Sequence, residues 1–119
     1  MKLLYISFFV LLFDSIYLNS LHSYFKKVFK AIQGSELTID YVGAILSYLF
    51  IIISIYYFGF IKKGKPIDLF LLGLFIYGIY EFTNYATFKK WPIFMIITDT
   101  IWGGILYLLT FITVKKISG

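Results

Sequence analysis

The sequence predicts an all-α integral membrane protein: a four-helix bundle with a short interfacial amphipathic helix between its first and second spans. Three observations carry this. Apolar residues make up 61% of the 119-residue chain, against about 45–50% in soluble domains. The mean hydropathy is +0.88, and a domain of this size has too little interior to hide so many Phe, Tyr, Ile and Leu side chains. The apolar residues also fall into four runs, each near the roughly 20 residues that cross a bilayer as helix. Helix is the default because every backbone amide in hydrocarbon must be satisfied within its own segment. A barrel would need alternating polarity, which these runs lack. The chain reads as a single membrane domain, 1–119, with spans at about 3–21, 39–61, 66–87 and 93–114.

The first span runs from Leu3 to Leu21. Met1-Lys2 and the apolar run behind them have the outline of a secretory signal. That run continues past Asp14 and no small-x-small cleavage site follows, so an uncleaved span is expected. Next, Phe25, Val28, Phe29 and Ile32 recur at i, i+3, i+4 and i+7, with Lys26, Lys27 and Lys30 off that stripe. This is the pattern of a helix lying in the membrane interface, ended by Gly34-Ser35. The second span, Ile39 to Ile61, carries Gly43, Ser47 and Ser54 on one face, a small-residue stripe suited to close helix packing. Lys62, Lys63 and Lys65 close it. The third span opens on Pro66, a favoured first-turn residue, and ends near Thr87. The fourth follows Trp91-Pro92 and stops before Lys115-Lys116. The short connections predict antiparallel neighbours.

Composition also excludes. There is no cysteine, so disulfides, iron–sulfur clusters and thiol nucleophiles are out. His22 is the single histidine, which rules out multi-histidine zinc motifs. The net charge of +5 comes from lysines alone, placed between apolar runs as snorkelling anchors and contacts for anionic lipid. No exposed basic domain exists for nucleic acid. Six lysines (Lys2, Lys62, Lys63, Lys65, Lys115, Lys116) fall on the side of the termini and five (Lys26, Lys27, Lys30, Lys89, Lys90) on the other. The positive-inside rule therefore leans toward cytoplasmic termini.

Asp14, Glu81 and Asp99 are the informative residues, because an acid at mid-span costs roughly 2.5–3.5 kcal/mol on insertion scales. A rise of about 1.5 Å per residue places them roughly 16, 21 and 19 Å from the side of the termini, in one layer. Span three sets Gly73, Tyr77, Tyr80, Glu81, Asn84 and Thr87 along a polar stripe, and span four sets Asp99, Trp102, Gly103 and Leu106 on one face. The expected polar pocket holds Asp14, Glu81, Asn84 and Asp99, lined by Tyr17, Tyr80 and Trp102. Thr83, Thr98 and Thr100 supply further hydroxyls. Clustered acids in low dielectric cannot all stay ionised. They must share protons, hold a cation (Asp14, Glu81 and Asp99 being the candidate metal ligands), or sit in a complete hydrogen-bond network. No cofactor beyond a proton or cation is expected. There is an internal echo as well. Phe9-x4-Asp14-Ser15-Ile16-Tyr17 and Phe94-x4-Asp99-Thr100-Ile101-Trp102 agree in residue or type at five positions, on spans that run in opposite directions. That arrangement fits an inverted repeat with its site near the midplane.

The run Tyr80-Glu81-Phe82-Thr83-Asn84-Tyr85-Ala86-Thr87, then Trp91-Pro92, then Asp99-Thr100-Ile101-Trp102-Gly103, resembles a family of small predicted membrane proteins, domain of unknown function 2177. Asp14-x-x-Tyr17-Leu18 and Tyr24-Phe25-Lys26 look like its opening motif, and the resemblance covers nearly the whole chain. The family pattern favours Asp where this chain has Glu81, and Trp where it has Tyr17, changes that keep an acid and an aromatic. The resemblance implies a four-span membrane protein marked at the residues singled out above, and it implies no activity.

Three functions fit. The first is a proton- or cation-linked small transporter or channel. So thin a bundle cannot enclose a large path, so this reading implies a homo-oligomer. It resembles small multidrug-resistance exporters in size and span count, without their motifs. The second is a structural or accessory membrane protein whose polar groups join helices at about 0.6 kcal/mol per contact. The third is a metal-dependent membrane enzyme, with oxygen ligands suited to Mg²⁺, Ca²⁺ or Mn²⁺. No activated nucleophile is visible, so an enzyme is the less favoured expectation.

Overall fold

The computed structural model describes residues 1–35 and 40–118, and every regular element among them is helical. Helix α1 spans Lys2–Ser20, α2 His22–Gln33, α3 Tyr41–Ile55, α4 Pro66–Thr87 and α5 Ile93–Ser118. Residues Tyr56–Ile61 prolong α3 as a π-helical turn. Among the described residues, four helices are long and apolar enough to cross a membrane: α1, α3 with its π turn, α4 and α5. The longest dimension is 47 Å, comparable with the roughly 40–45 Å of a bilayer with its headgroups. The first residue of the expected second span, Ile39, lies outside the described residues.

Local chemistry sets the helix ends. Gly34 adopts φ +77° after α2 and returns its N–H to the Lys30 carbonyl at 2.8 Å, a left-handed cap that glycine adopts without penalty. The Asp40 carboxylate accepts from the Val42 and Gly43 amides at 3.0 and 3.4 Å, capping α3. Pro66 opens α4, and Asp68 accepts from the Lys65 amide at 2.9 Å. The α4–α5 connection places Lys90 at φ +66°, where a side chain costs roughly 1–2 kcal/mol. Lys90→Gly is therefore expected to stabilise the protein by about 1 kcal/mol, read as a higher Tm in detergent. An unchanged or lower Tm would show that the lysine side chain compensates.

Outward-facing apolar residues dominate the surface: Phe50 is 74% exposed, Ile79 69% and Leu4 65%. A soluble monomer rarely shows such continuous apolar area, so these faces suit lipid. α5 is the hub. It buries 39% of its most apolar window, against 17% for each of the other spans. Two apolar cores lie along it. Toward the chain termini, Ile6, Val10, Ile52, Ile55, Leu69, Tyr107, Phe111 and Val114 pack together. At the other end, Phe25 of α2 joins Trp91, Met95 and Ile96. Val28, Phe29 and Ile32 pack against that second core, while Lys26, Lys27 and Lys30 are exposed. The period-3.6 stripe of α2 is thus seated on protein, over the start of α5.

Two packing expectations are corrected. The Gly43–Ser47–Ser54 face does not bring α3 against another helix along its length. Gly43 and Ser47 are exposed, and a Cβ on Gly43 would meet only Asp40, at 3.9 Å. Close approach occurs between α4 and α5 instead, where a Cβ on Gly73 would come 2.2 Å from the Gly103 carbonyl oxygen. The second correction concerns α3 and α4, which are neighbours in sequence yet splay apart beyond their shared turn. The groove between them holds about 560 Å³ and is lined by Ser47, Phe50, Ile51, Ser54, Ile76, Tyr77, Tyr80 and Tyr107. Across it, Tyr77 and Tyr80 of α4 face Ser47, Phe50, Ile51 and Ser54 of α3.

Candidate functional site

Lys2 and Lys115 line one cavity, so the start of α1 lies beside the end of α5 and the two helices run antiparallel. That geometry turns the sequence echo into contacts. On each helix an aspartate and an aromatic stand three residues apart, on one face. Trp102 Nε1 of α5 donates to Asp14 Oδ1 of α1 at 2.9 Å. Reciprocally, the Tyr17 hydroxyl of α1 donates to Asp99 Oδ1 of α5. Between the two hydrogen bonds, the Tyr17 and Trp102 rings stack at 4.7 Å and 3°. Each helix gives the other one acid and one donor, a clasp with approximate twofold character.

The other spans attach to this clasp at its two acids. From α3, the Tyr48 hydroxyl donates to Asp14 Oδ2, so both oxygens of that buried carboxylate have a donor. From α4, Glu81 lies beside Asp99, the two carboxyls within hydrogen-bonding reach. Glu81 is 2% exposed and accepts from Trp91 Nε1 at 3.0 Å. Asp14 and Asp99 interact electrostatically through the clasp. A polar thread therefore runs Tyr48–Asp14–Trp102–Tyr17–Asp99–Glu81–Trp91, touching all four long helices between the two apolar cores.

The thread is covered at its Glu81 end. Trp91 is 5% exposed, with Phe29 of α2 edge-on at 5.6 Å, and Phe25 lies 5.9 Å from the Tyr17 ring. Tyr24 of α2 faces the same site: burial pushes its phenol above the usual range and the Asp99 charge adds to the effect. Apolar residues of α2 thus cover this end of the thread.

Of the expected pocket residues, Asp14, Tyr17, Glu81, Asp99 and Trp102 come together. Asn84 is half-buried, one turn beyond Glu81, within reach of the Tyr80 hydroxyl. Tyr80 and Thr83 are corrected. Tyr80 is 52% exposed and lines the α3–α4 groove, and Thr83 is exposed on the outer surface. The reason is helical geometry: positions one and two residues from Glu81 point about 100° and 200° away from it. Thr98 bonds back to the Phe94 and Met95 carbonyls, while the Thr100 hydroxyl is buried without a partner. Among the described residues no group of three His, Asp or Glu side chains comes together to hold a metal ion.

Tyr48 and Trp91 supply donors that the sequence reading left out. Tyr48 carried a weak signal, a hydroxyl beside Ser47 inside an otherwise apolar run. Trp91 stands in the sequence as a helix boundary before Pro92 and as part of the family-like motif, with nothing to mark it as a donor to Glu81.

The family model described as "Predicted membrane protein (DUF2177)" matches residues 1–114. No curated protein and no solved structure matches the chain.

Proposed function

We propose that this chain, which belongs to the DUF2177 family of predicted membrane proteins, is a proton-linked small transporter that holds its proton between Glu81 and Asp99. The observation that supports this is the meeting of two carboxyls from α4 and α5 in apolar surroundings. Two charges at such a distance repel strongly where the dielectric is low, so a proton between them is the arrangement of least energy. Adding or removing it changes the bond that ties α4 to α5 at this level. Intramembrane acids facing a bundle interior mark proton relays and ion pathways.

The α3–α4 groove offers this reading a path. It opens sideways between two spans and reaches Tyr77, which neighbours Tyr48, Tyr107, Asp14 and Asp99. A single chain leaves this groove unwalled on one side, so the path is completed by lipid or by a second copy. In this arrangement α2 lies in the interface. Both termini are cytoplasmic, on the side with six lysines, and the lysine clusters meet anionic headgroups.

A structural role is favoured by one observation of its own: Asp14 takes a donor on each oxygen, from Tyr48 and Trp102. A polar group so satisfied joins three helices without any further task. Reconstitution in liposomes carrying an internal pH dye separates the two. With a potassium diffusion potential imposed, wild-type protein should carry protons inward. Glu81→Gln with Asp99→Asn should fall to the level of protein-free liposomes. Flux that survives in the double variant, or is absent from folded wild-type protein, moves the assignment to the structural role.

A further inference from the structure

We infer that a pocket at the terminal end of the bundle binds the phosphate of an anionic phospholipid. It holds about 350 Å³ and is lined by Lys2, Gly59, Phe60, Lys63, Gly64, Phe111 and Lys115. Three ammonium groups reach it from three separate elements: the first residue of α1, the α3–α4 turn and the last turn of α5. No acidic residue lines it. Asp68, the one acid in the α3–α4 connection and the first turn of α4, is engaged by the Lys65 amide and faces a neighbouring cavity with Lys62. The pocket's charge is therefore uncompensated by the described residues.

The lysines are also placed. Lys2 Nζ stands 5.6 Å from the Phe60 ring centroid, and Lys115 Nζ 5.4 Å from that of Phe111. The two rings touch, 5.2 Å apart, and form a shared floor. The π turn sets Phe60 there, with the Lys62 amide bonded back to the Tyr57 carbonyl at 2.8 Å. Lys63 follows at φ +53°, a strained backbone for a lysine, while Gly64 beside it sits against the Phe58 carbonyl. Lysines serving only as interface anchors would extend freely into water. Here two of them fold over one aromatic floor and the third closes the rim.

Three convergent point charges suit a phosphate, whose charge is spread over several acceptor oxygens. The membrane position selects a lipid as its carrier. The pocket lies at the ends of the spans, beside exposed Phe58 and Ile61, which offer apolar surface for acyl chains. Basic pockets between spans take lipid headgroups in this way. This goes beyond a diffuse attraction of lysine clusters to anionic membranes, and it is independent of the proton reading.

The test is native mass spectrometry of protein released from phosphatidylcholine nanodiscs containing a minority of phosphatidylglycerol. One retained phosphatidylglycerol per chain is expected. The variant Lys2→Gln/Lys63→Asn/Lys115→Gln, with Asn chosen because it tolerates the left-handed backbone, should weaken retention roughly a hundredfold. Lys26→Gln/Lys27→Gln/Lys30→Gln removes the same charge at the opposite end and should leave retention unchanged. Equal losses in both triple variants, or no retained lipid, overturn the site. Displacement of the lipid by millimolar inorganic phosphate overturns the lipid assignment in favour of a soluble anion.

Discussion

Gly73→Ala is expected to destabilise the protein by about 3 kcal/mol, at the upper end for overpacking a core, although alanine is the better helix former by roughly 1 kcal/mol. The two effects have opposite signs, so the experiment is decisive. A Cβ at this position would stand 2.2 Å from the Gly103 carbonyl oxygen, 2.8 Å from its carbon and 2.8 Å from Cγ of Tyr107. Two of those atoms belong to backbone and cannot rotate away. α4 must then move off α5, the helix against which it packs most closely, and Glu81 moves with it. Small residues at such crossings let backbones approach in membranes, where no hydrophobic force drives helices together. Gly43→Ala is the control. Its surroundings are open, so the same substitution should be neutral or slightly stabilising. Reversible unfolding in mixed micelles would read both. Equal effects at the two positions would mean that the α4–α5 approach is looser than described.

Asp14→Leu should be the second most damaging single change, and Asp14→Asn should be mild. Leucine leaves the Trp102 indole N–H and the Tyr48 hydroxyl without an acceptor, and an orphaned buried donor costs about 1–3 kcal/mol. Among the described residues, the Tyr48 bond and the 2.7 Å contact of Ser54 with Tyr107 are the side-chain hydrogen bonds that tie α3 to the other helices. Loss of the first should loosen α3 specifically, seen as faster amide exchange in residues 41–55 than in α5. Asparagine keeps an acceptor for Trp102, and its amide donates to the Tyr48 oxygen, so a cost near 1 kcal/mol is expected. Leucine tolerated as well as asparagine would show that the clasp contributes little to holding the bundle together.

How much of this was legible in the sequence can be seen at particular residues. The four long helices follow from hydropathy and length alone. The amphipathic stripe of α2 also follows from its spacing, but its seat against Trp91, Met95 and Ile96 does not, because those residues lie some sixty positions away. The echo between residues 9–17 and 94–102 pointed to Asp14, Tyr17, Asp99 and Trp102. It could not say that each aspartate would take the other helix's aromatic. That needs an antiparallel crossing at one particular depth, set by Ile6 and Val10 packing with Tyr107, Phe111 and Val114. On α4, Tyr80 and Thr83 stand beside Glu81 in the sequence, yet the helix turns both away from it.

The sequence by itself determined that these segments are helices suited to lipid and that three acids sit within them. Both are properties of single residues and their short-range periodicity, which the bilayer's demand for satisfied backbone reads directly. The tertiary structure alone decided which faces meet: glycines brought α4 onto α5, an open groove separates α3 from α4, and Tyr48 and Trp91 became donors to the acids. Those outcomes depend on shape fit between residues far apart in the chain. In hydrocarbon, where apolar faces have no preference for one another over lipid, only close packing and hydrogen bonding can choose between them.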